Sequence, residues 1–212
     1  MTISVVLPTV TGREEVCHRV IRAYEETTPG AEVIIERDHD CVGKAWQAGA
    51  ERAHGDYVLL GADDLEPMPG WWEPLIESVD RGELPCPVVF ETDGRVQSAG
   101  AIDWELQTTA PDDGAVTGWT TVPFFSRTWW PLIDPMLPVH YCTDTWVSVR
   151  LARHGIRTVV RTDSGFIHHN ASPGRGAGMD VHARNIHDRA RFYEAVEEML
   201  DAVTGVRGKV SV

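Results

Sequence analysis

Gly55-Asp-Tyr-Val-Leu-Leu-Gly-Ala-Asp-Asp-Leu-Glu-Pro67 decides the fold class. Tyr57 to Leu60 is a short apolar run with aromatic and β-branched members, the pattern of a strand buried on both faces in a parallel sheet. It passes through Gly61-Ala62 into two adjacent carboxylates, Asp63 and Asp64. Pro67, Pro69 and Gly70 break the chain before a helix that begins at Trp71. A strand that ends in paired acids puts them at the carboxyl edge of a sheet, where open α/β folds bind ligands. Two hard carboxylates there suit Mg²⁺ or Mn²⁺, with a diphosphate completing the shell. Adjacent aspartates also form Asx turns, and this stretch alone does not separate the two readings.

Upstream, residues 3–7 form an apolar run closed by Pro8, a first strand followed by the loop Thr9-Val-Thr-Gly-Arg13. Residues 14–28 place Val16, Val20, Ile21 and Tyr24 on one helical face. Residues 32–36 read as a second strand, with Arg37-Asp-His-Asp40 as its carboxyl-end loop. Residues 43–54 are Ala-rich and helix-permissive, and Gly55 stops them. The order β-α-β-α-β-α predicts a mostly parallel, Rossmann-like sheet flanked by helices. Right-handed crossovers then bring the three strand ends to one edge. Neither GxGxxG nor GxxxxGK[ST] is present, which excludes the dinucleotide fingerprint and the P-loop.

Downstream, the pattern predicts strands at 87–91 and 119–125, a loop or hairpin at 103–118, a helix at 144–154, and strands at 157–161 and 164–168. A final helix spans about 180–203, its apolar face read as Ile186, Tyr193, Val196, Leu200 and Val203. The halves divide at about residue 100, with a C-terminal helix and tail from 180. At 212 residues with 42% hydrophobic and 24% charged residues, the chain is an ordinary globular protein. No apolar run approaches ~18 residues, so no membrane span is expected. The first residues lack the pattern of a signal peptide, so a cytoplasmic location is expected, that of the host if the source is a phage. The four cysteines are scattered without a CxxC pair and are expected reduced. A formal charge of −13 argues against broad electrostatic binding of nucleic acid.

Four segments in this order resemble a known family. They are Ser4-Val-Val-Leu-Pro-Thr9; the stretch from Gly55 to Trp71; Asp93-Gly-Arg-Val-Gln-Ser-Ala-Gly100; and His140-Tyr-Cys-Thr-Asp-Thr-Trp-Val-Ser-Val-Arg-Leu-Ala-Arg-His-Gly155, followed by Gly165-Phe-Ile-His168. Together they are similar to the GT-A fold glycosyltransferases of family 2, where "SVIIPT", a run of acids after a strand, and "EDvdlsxRlxxxG" recur. This chain departs at Ala62, Thr143 and Trp146, which stand where that pattern has acids. The resemblance implies a nucleotide-binding N-terminal half and an acceptor-side C-terminal half. It gives base, ribose and phosphate contacts to Pro8, Thr9, Arg13, Asp38 and Asp63, with Lys44 in reach. It gives metal binding to Asp64 and His168, and the general base to Asp144.

The activity implied by this resemblance is a metal-dependent, inverting transfer of a sugar from a nucleotide-diphosphate donor, UDP-sugar foremost, to an acceptor hydroxyl. Mixed carboxylate and imidazole ligands favour Mn²⁺ over Mg²⁺. Because successive strand residues point to opposite faces, only His168 and not His169 is expected to be a ligand. Asp144 can instead cap its helix. Trp119, Trp129 and Trp130 fall in the acceptor half, where indoles stack on sugars. Gly-rich residues 172–178 can close as a lid, with Arg175 on the diphosphate. A soluble acceptor is expected, a glycan, a protein or a modified nucleic-acid base. A nucleotidyltransferase shares the strand-end acids, and a non-catalytic sugar-binding relative is compatible with Thr143 and Trp146.

Overall fold

The computed structural model describes residues 1–100, 113–169 and 181–204. Strand β1 (Ile3–Thr9) pairs in parallel with β2 (Glu32–Arg37) and β3 (Tyr57–Leu60). Helices α1 (Glu14–Thr27) and α2 (Val42–Arg52) make the crossovers. β1 shows why this strand is central. Ile3, Val5 and Leu7 pack with Val20, Tyr24, Leu75 and Trp71 on one side of the sheet. Val6 packs on the other side with Trp46, Ala50, Trp146 and Phe192. A strand with cores on both faces must be apolar at nearly every position.

β4 (Leu65–Pro67), which the sequence pattern does not predict, follows the acid pair. α3 (Trp72–Asp80) leads to β5 (Leu84–Glu91), β6 (Val96–Ser98) and the short β7 (Val116–Thr117). β8 (Phe124–Ser126) adds to β3 antiparallel, completing a first sheet of order β2-β1-β3-β8. A 3-10 turn (Arg127–Trp129), α4 (Trp130–Ile133) and α5 (Thr143–Ala152) come next. β9 (Thr158–His168) runs parallel to β5 within a second sheet, β4-β9-β5-β6, with β7 also on β9. The last helix is α6 (Val181–Thr204).

The α/β class holds, with one refinement. Among the described residues, parallel pairing is confined to β1–β2, β1–β3 and β5–β9, and the other ladders are antiparallel. The two strands expected at 157–161 and 164–168 are one strand with a register break, since Pro87 pairs with Arg161 and Val88 with Gly165. The strand expected at 119–125 is short, 124–126. The face assigned to the last helix is corrected at Ile186 and Tyr193, while Val196 packs against the core as expected. Ile186 and Tyr193 are exposed, while Asp188, Phe192 and Met199 are buried. Phe192 and Met199 meet the same core as Trp146 and Val147. A step of four from 188 to 192 and one of seven from 192 to 199 define that buried face, and Ile186 and Tyr193 lie beside it. Among the described residues no helix is long and apolar enough to cross a membrane. The residues expected as a lid, 172–178 with Arg175, lie outside the described residues.

Candidate active site

The register of β4 on β9 builds the charged edge. Leu65 pairs with His168, which brings the end of β9 beside the acids that precede β4. The backbone N–H of His169 donates to the Asp64 carbonyl at 2.9 Å and fixes the junction. Nε2 of His168 then lies 3.6 Å from Oδ2 of Asp64, an ion-pair distance beyond hydrogen-bond reach. The side chain of His169 turns elsewhere, with Nε2 2.7 Å from Glu66 Oε2. Strand alternation predicts that divergence.

Arg13 ties the two acids together. Its Nε donates to Asp63 Oδ2 at 2.8 Å and its Nη2 to Asp63 Oδ1 at 2.7 Å. The same Nη2 reaches Asp64 Oδ2 at 2.8 Å. This planar fork suits two neighbouring carboxylates better than an ammonium would. The hydroxyl of Thr9 donates to Asp63 Oδ2 at 2.7 Å, so Asp63 is buried but satisfied. Burial alone would raise the pKa of Asp64; His168 and Arg13 outweigh it and hold the carboxyl below its ordinary value. The contact with Asp64 in turn raises the pKa of His168 against the opposing effect of burial.

The loops after β1 and β2 on the same edge are held by turn chemistry. Asp38 sits at φ 56° and accepts from the N–H of Thr11 at 2.8 Å and from its hydroxyl at 3.0 Å. It thereby clamps the loop after β1 to the loop after β2. Pro8 is half-buried at the end of β1. Lys44 is exposed on the first turn of α2 and pairs with Asp40.

Asp144 occupies a separate place. It is the second residue of α5, so Cys142 and not Asp144 stands at the N-cap. Its Oδ1 accepts from the Thr145 N–H at 2.7 Å. Its Oδ2 has no hydrogen-bond partner among the described residues. Burial pushes its pKa up to about 6. It lines a cavity of about 160 Å³ together with Trp46, His140, Tyr141 and Cys142. The Trp46 indole N–H donates to the Gly61 carbonyl at 3.0 Å, joining this cavity to the end of β3. Gly43 permits the close approach of the backbone at residues 137–139, because a Cβ there would sit 2.0 Å from the Leu137 carbonyl oxygen. From α6, buried Asp188 accepts from the backbone N–H groups of His140 at 2.8 Å and Tyr141 at 3.1 Å.

Thr143, in the place of an acid, is buried and donates to the Val139 carbonyl at 3.1 Å. Trp146, in the place of another, is buried and donates to the Pro135 carbonyl at 3.1 Å. Trp119 has a buried indole N–H without a partner among the described residues. The structure does not bring Trp129 and Trp130 to this edge. β8 runs antiparallel to β3, so Ser126 lies opposite Tyr57 and the chain leaves at the far end of the sheet. Trp130 there stacks on Phe125 at 6.4 Å between centroids.

Two residues of the site carry no signal in the sequence that singles them out. Trp46 reads like any core tryptophan of a helix. Gln97, whose amide nitrogen lies 2.7 Å from Nδ1 of His168, sits within the segment from Asp93 to Gly100 as an ordinary polar residue.

A family model described as Glycosyl transferase family 2 matches residues 12–137. A crystal structure of GalNAc-T7 with UDP, GalNAc and Mn²⁺ is similar, with 14% identity, a TM-score of 0.67, and coverage of 91% of this chain and 48% of that chain. A crystal structure of TarS from S. aureus is similar at 11% identity and a TM-score of 0.58, covering 93% of this chain and 43% of that chain. The chain therefore spans less than half the length of either. These likenesses concern the fold. No curated protein matches the chain.

Proposed function

The chain belongs to glycosyl transferase family 2, and from that premise we propose that it transfers a sugar from a nucleoside-diphosphate donor to an acceptor hydroxyl. One observation carries the reading: Asp64 and His168, from distant parts of the chain, meet at 3.6 Å on the edge that Thr9 and Arg13 also line. That spacing suits two adjacent ligand positions on one divalent ion, and the mixed donor set suits Mn²⁺. The described residues hold no group of three or more such side chains. Phosphate oxygens of the donor and water would fill the remaining positions. When bound, the ion would neutralise the departing diphosphate. The likeness to GalNAc-T7, whose structure holds UDP and Mn²⁺, supports UDP and Mn²⁺ here.

The chain's own residues have distinct tasks in this reading. Asp38 and Thr9 hold the nucleoside loop, and Asp63, buried with both oxygens bonded to Arg13 and Thr9, acts on the donor by orienting Arg13 rather than by touching the ribose. Arg13 keeps the edge neutral enough to admit a diphosphate. Asp144, which lines the cavity, takes the proton from the acceptor hydroxyl as the bond to the sugar forms. Direct displacement of this kind inverts the anomeric centre. The acceptor is proposed to be soluble, a glycan, a protein or a modified base.

The test is a panel of nucleotide sugars with Mn²⁺ or EDTA, read by release of nucleoside diphosphate. Mn²⁺-dependent release from one donor is the expected result. Pyrophosphate release would point to nucleotidyl transfer and overturn the reading, as would turnover indifferent to EDTA.

A further inference from the structure

We propose that Gln97 is the positioning residue for His168, holding the ring by Nδ1 so that Nε2 is offered at the metal edge. The inference rests on the metal reading of Asp64 and His168. His168 has two ring nitrogens with two different neighbours. Nε2 faces Asp64 Oδ2 at 3.6 Å, and Nδ1 faces the Gln97 amide at 2.7 Å. Gln97 lies two strands away from His168, across β5, in the order β9-β5-β6.

The backbone explains how it reaches. Val89 pairs with Ser98 and Phe90 with Val96, so one step on β5 matches two on β6. Gln97 is the extra residue of that bulge. A bulge redirects the side chain of its extra residue, and bulges concentrate beside active sites. Glu91 pairs with His168, so the bulge lies one residue before the strand end that carries the imidazole.

The chemistry gives the amide a purpose. A neutral imidazole carries one proton, and the partner of one nitrogen decides the state of the other. To offer the Nε2 lone pair to a cation, His168 must keep its proton on Nδ1 and donate it. The amide oxygen of Gln97 accepts that proton after a half-turn of the amide group. With no cation present, the amide nitrogen donates to Nδ1, and the Nε2 proton faces Asp64. An amide serves both states because it carries a donor and an acceptor. A carboxylate serves only the metal-bound one.

Two variants of the full chain separate this from a merely structural contact. Gln97→Leu keeps the bulk and removes both polar groups. Gln97→Glu keeps an acceptor. The first readout is the ¹⁵N shifts of the His168 ring without metal. Gln97→Leu should move the Nδ1 signal of His168 and leave that of His169 in place. An unmoved signal overturns the proposal whatever the metal does. The second readout is Mn²⁺ affinity in the presence of UDP, from the free-Mn²⁺ signal in electron paramagnetic resonance. Gln97→Leu should weaken binding about 10–100-fold, and Gln97→Glu should restore it to within a few-fold. Equal affinities for all three proteins, or equal loss in both variants, overturn the positioning role. If the wild type binds no Mn²⁺ while the ring shift still moves, the metal reading itself has failed and takes the proposal with it.

Discussion

Asp64 and Asp144 are the same side chain in two opposite settings. Asp64 stands 2.8 Å from the Arg13 guanidinium and 3.6 Å from the His168 imidazole, and its pKa is held down against burial. Asp144 is half-buried without a charged partner, and desolvation lifts its pKa to about 6. A carboxylate that is always ionised can hold a cation but is too weak a base to collect a proton. One poised near neutrality can collect it. In the proposed reading the pair divides binding from proton transfer, and the division is set by what surrounds each carboxyl.

The largest way to break this comparison is Asp144→Asn. The amide is nearly isosteric and keeps an oxygen for the Thr145 N–H, but it takes no proton. Turnover should fall on the order of 10²–10⁴-fold with folding intact, read from steady-state rates alongside the melting temperature. Near-normal turnover would remove the base from Asp144.

The same variant should gain stability. Folding raises the Asp144 pKa from 3.8 to about 6, so the folded state binds this proton more tightly than the unfolded chain. The ionised carboxyl thus penalises the fold above about pH 6, and the penalty fades as the pH falls toward 3.8. That difference corresponds to about 3 kcal/mol at neutral pH. Denaturant melts of Asp144→Asn and wild type should therefore diverge at pH 8 in favour of the variant and converge near pH 4. No divergence would show that Asp144 is better solvated than its surroundings imply.

A smaller effect sharpens the assignment. Wild-type kcat should be level above about pH 6 and drop about tenfold per pH unit below it, because only the ionised carboxyl accepts the proton. The residual rate of Asp144→Asn should lack that acidic limb. An identical limb in both proteins would assign it to another group.

The first half of the chain is legible because its signals are local. Apolar runs ending in Pro8 and Asp63, separated by amphipathic helices, specify parallel crossovers, and Tyr57–Leu60 appears as read. The second half depends on pairings that periodicity does not carry. β4 is three residues long and exists because β9 receives it. The face of α6 is misread from sequence because Phe192 and Met199 are chosen by the core they meet, while Ile186 and Tyr193 are equally apolar in sequence. In the site, resemblance leads to Asp64 and His168, and geometry supplies the register that brings them together. Arg13 is expected at the nucleotide, and the structure shows it first binding both acids. Gln97 is out of reach of sequence reasoning because its role depends on one bulge.

The division of labour is tested most directly by calorimetric titration of UDP, with and without Mn²⁺, into wild type, Asp64→Asn and Asp144→Asn. Wild type and Asp144→Asn should bind UDP alike and show the same gain from Mn²⁺. Asp64→Asn should lose that gain. Undiminished Mn²⁺ dependence in Asp64→Asn, or its loss in Asp144→Asn, would contradict the division.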